Sequence, residues 1–267
     1  MNEIAGHVLL IEDSPVQAKI IRKQFEAFSD FSILIANDLK EAEACLTEHK
    51  EHIFLAVVDL NLPDAPNGEA VDLCLQWKMT TVVLTASIDE SIRQSFLDRN
   101  VADFFFKGSV EEIGPLILGV ERLYKNRFIT ALVVDDSATQ RAMIAKYMRT
   151  QGFRVLSAGS GAEALQITEQ EQDIKLVVTD FEMPDMDGIA LVRALRERFL
   201  PEEMAIVGVS SAGSGSLTAR FLKNGANDFL TKPFEAEEFY WRINQTLNVL
   251  EMMRLWKESR KQGTAGR

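Results

Sequence analysis

The chain has 267 residues, a net charge of −11 and a pI near 4.9, with 46% hydrophobic residues. That length suggests two domains, each with enough apolar content for a core, and the acidity argues against a general nucleic-acid binder, which carries a basic face. No apolar run reaches the ~18 residues of a membrane span, and the opening MNEIAGHVLLIED lacks the charged start and cleavage site of a signal peptide. Cys45 and Cys74 both fall in helix-like segments and make no disulfide framework, so a reducing cytoplasm is the expected setting.

In chain order, short apolar runs alternate with amphipathic stretches. Strands are predicted at 7–12, 31–36, 53–59, 81–86 and 102–106, then at 130–135, 153–158, 174–180, 204–209 and 227–231. VLLI, FLAVVD, LVVTD and AIVGVS are nearly continuous apolar runs, as in parallel strands buried on both faces. SATQRAMIAKYMRTQG puts Ala142, Ile144, Ala145 and Met148 at helical spacing, and Gly152 stops that helix. Residues 110–128 read as a helix that ends the first half and runs into the second without a Gly/Ser linker, which predicts restricted domain motion. The last helix carries Phe239, Ile243, Leu247, Leu250 and Met253, with Trp256 three residues on. It is expected to pack on its own domain as far as Leu250. Beyond that, MMRLW would meet a partner, as a dimerising or signal-carrying helix.

Polar landmarks repeat on this frame. Glu12-Asp13 and Asp135-Asp136 follow the first strand of each half. Downstream come a lone Asp (Asp59, Asp180), a hydroxyl (Thr85, Ser210) and a Lys (Lys107, Lys232). The offsets are 123 from Asp13 to Asp136, 121 from Asp59 to Asp180, 125 from Thr85 to Ser210 and 125 from Lys107 to Lys232. The drift falls in loops, with extra residues in the second copy near Arg198–Glu202, around Pro201. A period this long means two whole domains, not a solenoid. Five strands alternating with helices imply a doubly wound α/β sheet, whose sites form beyond the carboxyl ends of the strands. All the landmarks lie there.

Three carboxylates on one rim repel and need a cation or a raised pKa. Oxygen ligands without His or thiolate select a hard cation, Mg²⁺ by preference. With a Lys and a hydroxyl beside it, such a site stabilises a transferring phosphoryl group. No GxxxxGK[ST] loop is present, so the phosphate arrives on a donor, and a carboxylate is the simplest acceptor.

The ordered motifs VVDDS, VVTDFEMPDMDG, VGVSS and FLTKPF, with LLIEDS, VVDLNLPDAPNG, VLTAS and FFFKGS, resemble the receiver domains of two-component response regulators over about residues 5–250. The resemblance implies two flavodoxin-like (βα)5 domains, 5–125 and 126–250, each a parallel sheet in order 2-1-3-4-5, followed by a helical extension at 251–267. It implies phosphoacceptors at Asp59 and Asp180. Mg²⁺ would be held by Glu12, Asp13 and Asp59 with the Asn61 carbonyl, and by Asp135, Asp136 and Asp180 with the Glu182 carbonyl. Thr85 and Ser210 would hydrogen-bond the phosphoryl group, and Lys107 and Lys232 would pair with it. The implied protein is a switch and not a turnover enzyme. Its donor would be a phosphohistidine on a histidine kinase or phosphotransfer protein, and a homodimer or output domain would be reached through the last helix. No nucleic acid or membrane partner is expected.

VVDLNLPDAPNGEAVDLCL is similar to the N-terminal receivers of two-receiver GGDEF diguanylate cyclases. The GGDEF motif is absent here, so the chain reads either as a regulatory portion without its output or as a stand-alone adaptor. The copies differ. Lys232-Pro233 suits a cis peptide, whereas Lys107-Gly108 predicts a trans peptide and a less firmly placed Lys107, which ranks Asp180 above Asp59. LPDAPNG replaces MPDMDG beside Asp59. Phe104 and Phe229 occupy the position of an aromatic that reorients in the family, or are plain core residues.

Two other classes are weighed. A related Mg²⁺-dependent phosphatase needs a second Asp two residues after the first-strand Asp, and ED-S-P and DD-S-A lack it. A pure scaffold with unused pockets is the third reading. Gly213 and Gly215 in SAGSGS read as a loop rather than a phosphate cradle, and His49 and His52 as a solvated helix face.

Overall fold

The computed structural model describes residues 6–86, 95–96, 99–107, 113–211 and 215–265. The chain divides into two compact units, the first running to Lys125 and the second beginning at Asn126, with Thr150–Gly152 grouped with the first. The first contains β1 (His7–Ile11), α1 (Pro15–Phe28), β2 (Ser32–Ala36), α2 (Leu39–His49), β3 (Ile53–Asp59), α3 (Glu69–Gln76), β4 (Thr80–Thr85), β5 (Asp103–Phe106) and α4 (Ile113–Asn126). The second contains β6 (Thr130–Val134), α5 (Ala138–Thr150), β7 (Arg154–Ala158), α6 (Gly161–Gln170), β8 (Ile174–Asp180), α7 (Gly188–Arg196), β9 (Ala205–Ser210), α8 (Gly215–Lys223), β10 (Asp228–Thr231) and α9 (Ala236–Ala265).

Each unit is one five-stranded sheet, ordered β2-β1-β3-β4-β5 and β7-β6-β8-β9-β10, with every pairing parallel. Both therefore follow the expected order 2-1-3-4-5, and every strand bound falls within one residue of its prediction. The reason is burial on both faces. Along β1 and β3, Leu9, Ile11, Ala56 and Val58 enter one apolar cluster, while Val8, Leu10, Leu55 and Val57 enter the other. Alternation sends successive side chains to opposite faces, so a strand with helices on each side must be apolar throughout.

Helix starts follow local chemistry. Ser14 caps α1 by accepting from Gln17 N, with Pro15 in the first turn. Asp38 and Asp187 cap α2 and α7 through Glu41 N and Ala190 N, each at 2.7 Å. Helix α5 ends at Thr150, and Gly152 takes the left-handed φ of 87°. Ile144, Ala145 and Met148 are buried as predicted, but Ala142 is exposed, because the core-facing arc of α5 does not reach it.

The final helix is 30 residues, about 45 Å at ~1.5 Å per residue. Phe239, Ile243, Leu247 and Leu250 are buried in the second unit's core, whereas Met252, Met253, Leu255 and Trp256 are exposed. The segment past Leu250 is tied back by charge. Arg254 Nε donates to the Glu202 carbonyl at 2.6 Å and Nη2 to the Glu203 carbonyl at 2.8 Å, and Lys257 pairs with the Glu202 carboxylate. The Pro201 loop, longer in this copy, is thus the seat of the helix tail.

Candidate functional site

The order of each sheet reverses at its first strand, which opens a crevice beyond the carboxyl ends of β1 and β3, and of β6 and β8. In the second unit, Asp135 follows β6 directly, and its N–H donates to the Ala158 carbonyl at 3.2 Å. Asp135 Oδ1 accepts from Ser137 N at 2.9 Å, which bends the chain into α5. Arg141 Nη1 donates to the Asp135 carbonyl at 2.6 Å. Asp180 is the last residue of β8, and its Oδ2 accepts from Glu182 N at 2.9 Å. The returning loop passes so close that a Cβ on Gly188 would lie 2.3 Å from the Asp180 carbonyl oxygen. Only glycine fits there.

Lys232 is set by its backbone, whose N–H donates to the Ser210 carbonyl at 2.8 Å as β10 leaves its partner β9. Its Nζ reaches Asp180 Oδ1 at 2.7 Å, Asp135 Oδ2 at 3.1 Å and the Gln140 side-chain oxygen. Ser210 is fully buried beside it on β9. The Lys232-Pro233 peptide is cis, as the sequence suggests.

The first unit repeats this arrangement. Glu12 Oε1 accepts from Ser14 N at 3.3 Å, and Asp59 Oδ1 from Asn61 N at 3.0 Å. Lys107 N donates to the Thr85 carbonyl at 2.7 Å. Lys107 Nζ pairs with Glu12 Oε2 at 2.5 Å and Asp59 Oδ2 at 2.6 Å. Its side chain is 11% exposed against 12% for Lys232, so the two are buried alike. The backbone bond of Lys107 to Thr85 matches that of Lys232 to Ser210. The peptide expected to be trans at Lys107-Gly108 lies outside the described residues, as does Gly213.

The two acidic groups are not the same. Carboxylate oxygens of Glu12, Asp13 and Asp59 lie within 4.8 Å of one another, a spacing one cation can span. Among the described residues, Asp135, Asp136 and Asp180 form no group this tight: Asp136 is exposed, and Lys232 bridges the other two. His49 and His52 join no group of three candidate ligands among the described residues.

Burial dominates the electrostatics. The Glu12 carboxyl is pushed above its usual range by desolvation and by Asp59, against the pull of Lys107. Asp135 is raised in the same way, by desolvation and by Asp180 against Lys232. Each crevice thus holds more negative charge than one Lys compensates, which suits a hard divalent cation bound through oxygen.

Phe229 is buried against Phe221, with ring centroids 5.1 Å apart, and Phe104 packs toward Phe96 at 6.4 Å. Both rings turn to apolar neighbours. Sequence reasoning missed Gln140 and Gly188. The signal for Gln140 was present in both copies, as Ser-x-x-Gln at the helix start in SPVQ and SATQ.

Comparison with known proteins agrees with this geometry. Residues 131–244 match the family described as Response regulator receiver domain. The rice protein named Two-component response regulator ORR5 (Oryza sativa subsp. japonica) is 36% identical over 107 residues, covering 40% of this chain and 80% of that protein. A Chemotaxis protein CheY homolog of Campylobacter jejuni is 34% identical over 119 residues, covering 44% and 92%. Two solved structures described as two-component system response regulator/GGDEF domain proteins match both units together. They superpose with TM-scores of 0.84 and 0.82 at 39% and 38% identity, each covering 92% of this chain and 99% of the other.

Proposed function

We propose that this chain, which belongs to the response regulator receiver family, is a tandem phosphorylation switch in which Asp180 and Asp59 each accept a phosphoryl group from a phosphohistidine. The donor would be a histidine kinase or phosphotransfer protein. The observation that supports this most is the pairing of each strand-end Asp with a nearly buried Lys, at 2.7 Å for Asp180 and Lys232 and 2.6 Å for Asp59 and Lys107. In the transfer, the donor's P–N bond breaks, its imidazole nitrogen keeps the electron pair, and an Asp carboxylate oxygen forms the new P–O bond. Lys232 and Lys107 would pair with the phosphoryl oxygens, and Ser210 and Thr85 would hydrogen-bond them.

The donor sets fit Mg²⁺. In the first domain Glu12, Asp13 and Asp59 would hold it with the Asn61 carbonyl. In the second, Asp135, Asp136 and Asp180 would hold it with the Glu182 carbonyl. A bound Mg²⁺ would neutralise charge on the phosphoryl oxygens. On this reading the domains are residues 5–125 and 126–250, with 251–267 as an extension. The chain is a phosphoacceptor and not a turnover enzyme, and it works in the cytoplasm. No helix among the described residues is long and apolar enough to cross a membrane.

Output is read through α9, to a second copy or to an output domain. The likeness over 92% of the chain to response regulator/GGDEF domain proteins favours a regulatory pair that controls such a domain. Beryllofluoride with Mg²⁺ tests the switch. It should shift the backbone amides of Glu182 and Asn61 in NMR spectra, and a protein blind to it would be a scaffold.

A further inference from the structure

The three ammonium N–H donors of Lys232 meet three acceptors: Asp180 Oδ1, Asp135 Oδ2 and the Gln140 side-chain oxygen. Gln140 stands in the first turn of α5. In a Ser-x-x-Gln capping box the Gln side chain ordinarily returns to the Ser N–H. Here the Ser137 N–H donates to Asp135 Oδ1 at 2.9 Å, and the Gln140 side chain turns to Lys232 instead. Its own backbone N–H still donates to Ser137 Oγ at 3.5 Å.

The first domain has the same box but a different result. Gln17 gives its backbone N–H to Ser14 Oγ at 3.4 Å and is exposed, while Lys107 Nζ pairs with Glu12 and Asp59. In that domain the third carboxylate, Asp13, stays within reach of the other two. In the second, Lys232 is held across Asp135 and Asp180 from the α5 side.

We propose that Gln140 is a positioning residue that holds Lys232 across Asp135 and Asp180 in the metal-free second domain, and so weakens Mg²⁺ binding there. This rests on reading Asp135, Asp136 and Asp180 as the ligand set. A cation that takes those carboxylates must loosen the ammonium bridge, and the Gln140 hydrogen bond opposes that. Removing the acceptor oxygen therefore tightens Mg²⁺ binding in the second domain alone.

The test is a Mg²⁺ titration of the full chain followed at two backbone amides, Glu182 for the second domain and Asn61 for the first. Gln140→Met keeps side-chain length and removes the acceptor. It should lower the Glu182 midpoint by about five-fold, the scale of one net hydrogen bond, and leave the Asn61 midpoint unchanged. In a Lys232→Met background, the same change should have no further effect. A purely structural role would alter unfolding without tightening Mg²⁺. A wild-type chain whose amides ignore Mg²⁺ overturns the ligand reading, and the role of Gln140 with it. A normal wild-type response with an unchanged or weaker midpoint in Gln140→Met, or in Gln140→Ala, overturns Gln140 alone.

Discussion

Lys107 Nζ lies 2.6 Å from Asp59 Oδ2, with both side chains nearly buried. A buried ion pair adds little net stability, but removing one partner leaves an uncompensated charge. Lys107→Met should therefore destabilise the metal-free first domain by about 3 kcal/mol. Thermal unfolding in chelator measures it. Saturating Mg²⁺ should recover much of the loss, since the cation supplies the missing positive charge.

Gly188→Ala should be costly for a different reason. The new Cβ would meet the Asp180 carbonyl oxygen at 2.3 Å, and that atom is backbone and cannot swing away. A loss of roughly 2 kcal/mol or more is expected, on the scale of overpacking, with the amide of Glu182 displaced in the spectrum. Gly114→Ala is the control. No atom lies within 4 Å of its Cβ position, so it should be neutral or raise stability slightly.

The raised carboxyl of Glu12 gives a pH prediction. Its folded value exceeds its unfolded one, so its contribution to stability is fully present below the ordinary glutamate range. That contribution is lost as pH rises through the raised value, because ionisation then occurs in a buried site. Glu12→Gln cannot ionise. Without Mg²⁺ it should lose less stability than wild type as pH rises from acidic to neutral, and denaturant unfolding across that window reads the difference. A parallel loss in both proteins would count against the burial argument.

The charged seat of the last helix makes a local prediction. Arg254→Ala removes two hydrogen bonds to the Glu202 and Glu203 carbonyls. Hydrogen exchange should quicken over residues 251–260 while the global unfolding transition stays within a degree or two. Unchanged exchange there would mean that the helix holds itself without the Pro201 loop.

Much of this was legible in the sequence, because parallel strands buried on both faces must be continuously apolar and must end where the chain turns polar. Asp59 and Asp180 close β3 and β8 as the runs FLAVVD and LVVTD imply. The burial of Lys107 beside Glu12 and Asp59 was not legible, because it depends on the backbone bond to Thr85 on a neighbouring strand. The Ser-x-x-Gln signal marked Gln140 and Gln17 alike, and only tertiary placement separates them. The Arg254 seat was hidden because it depends on which distant segment arrives, and local periodicity carries no record of that. Gly188 was hidden because its constraint is a neighbouring backbone atom.

The central claim is tested most directly by intact mass after incubation with Mg²⁺ and acetyl phosphate. The wild-type chain should gain up to two phosphoryl groups, Asp59→Asn and Asp180→Asn up to one each, and the double variant none. Phosphorylation that survives in the double variant, or a wild-type chain that gains nothing, would contradict the account.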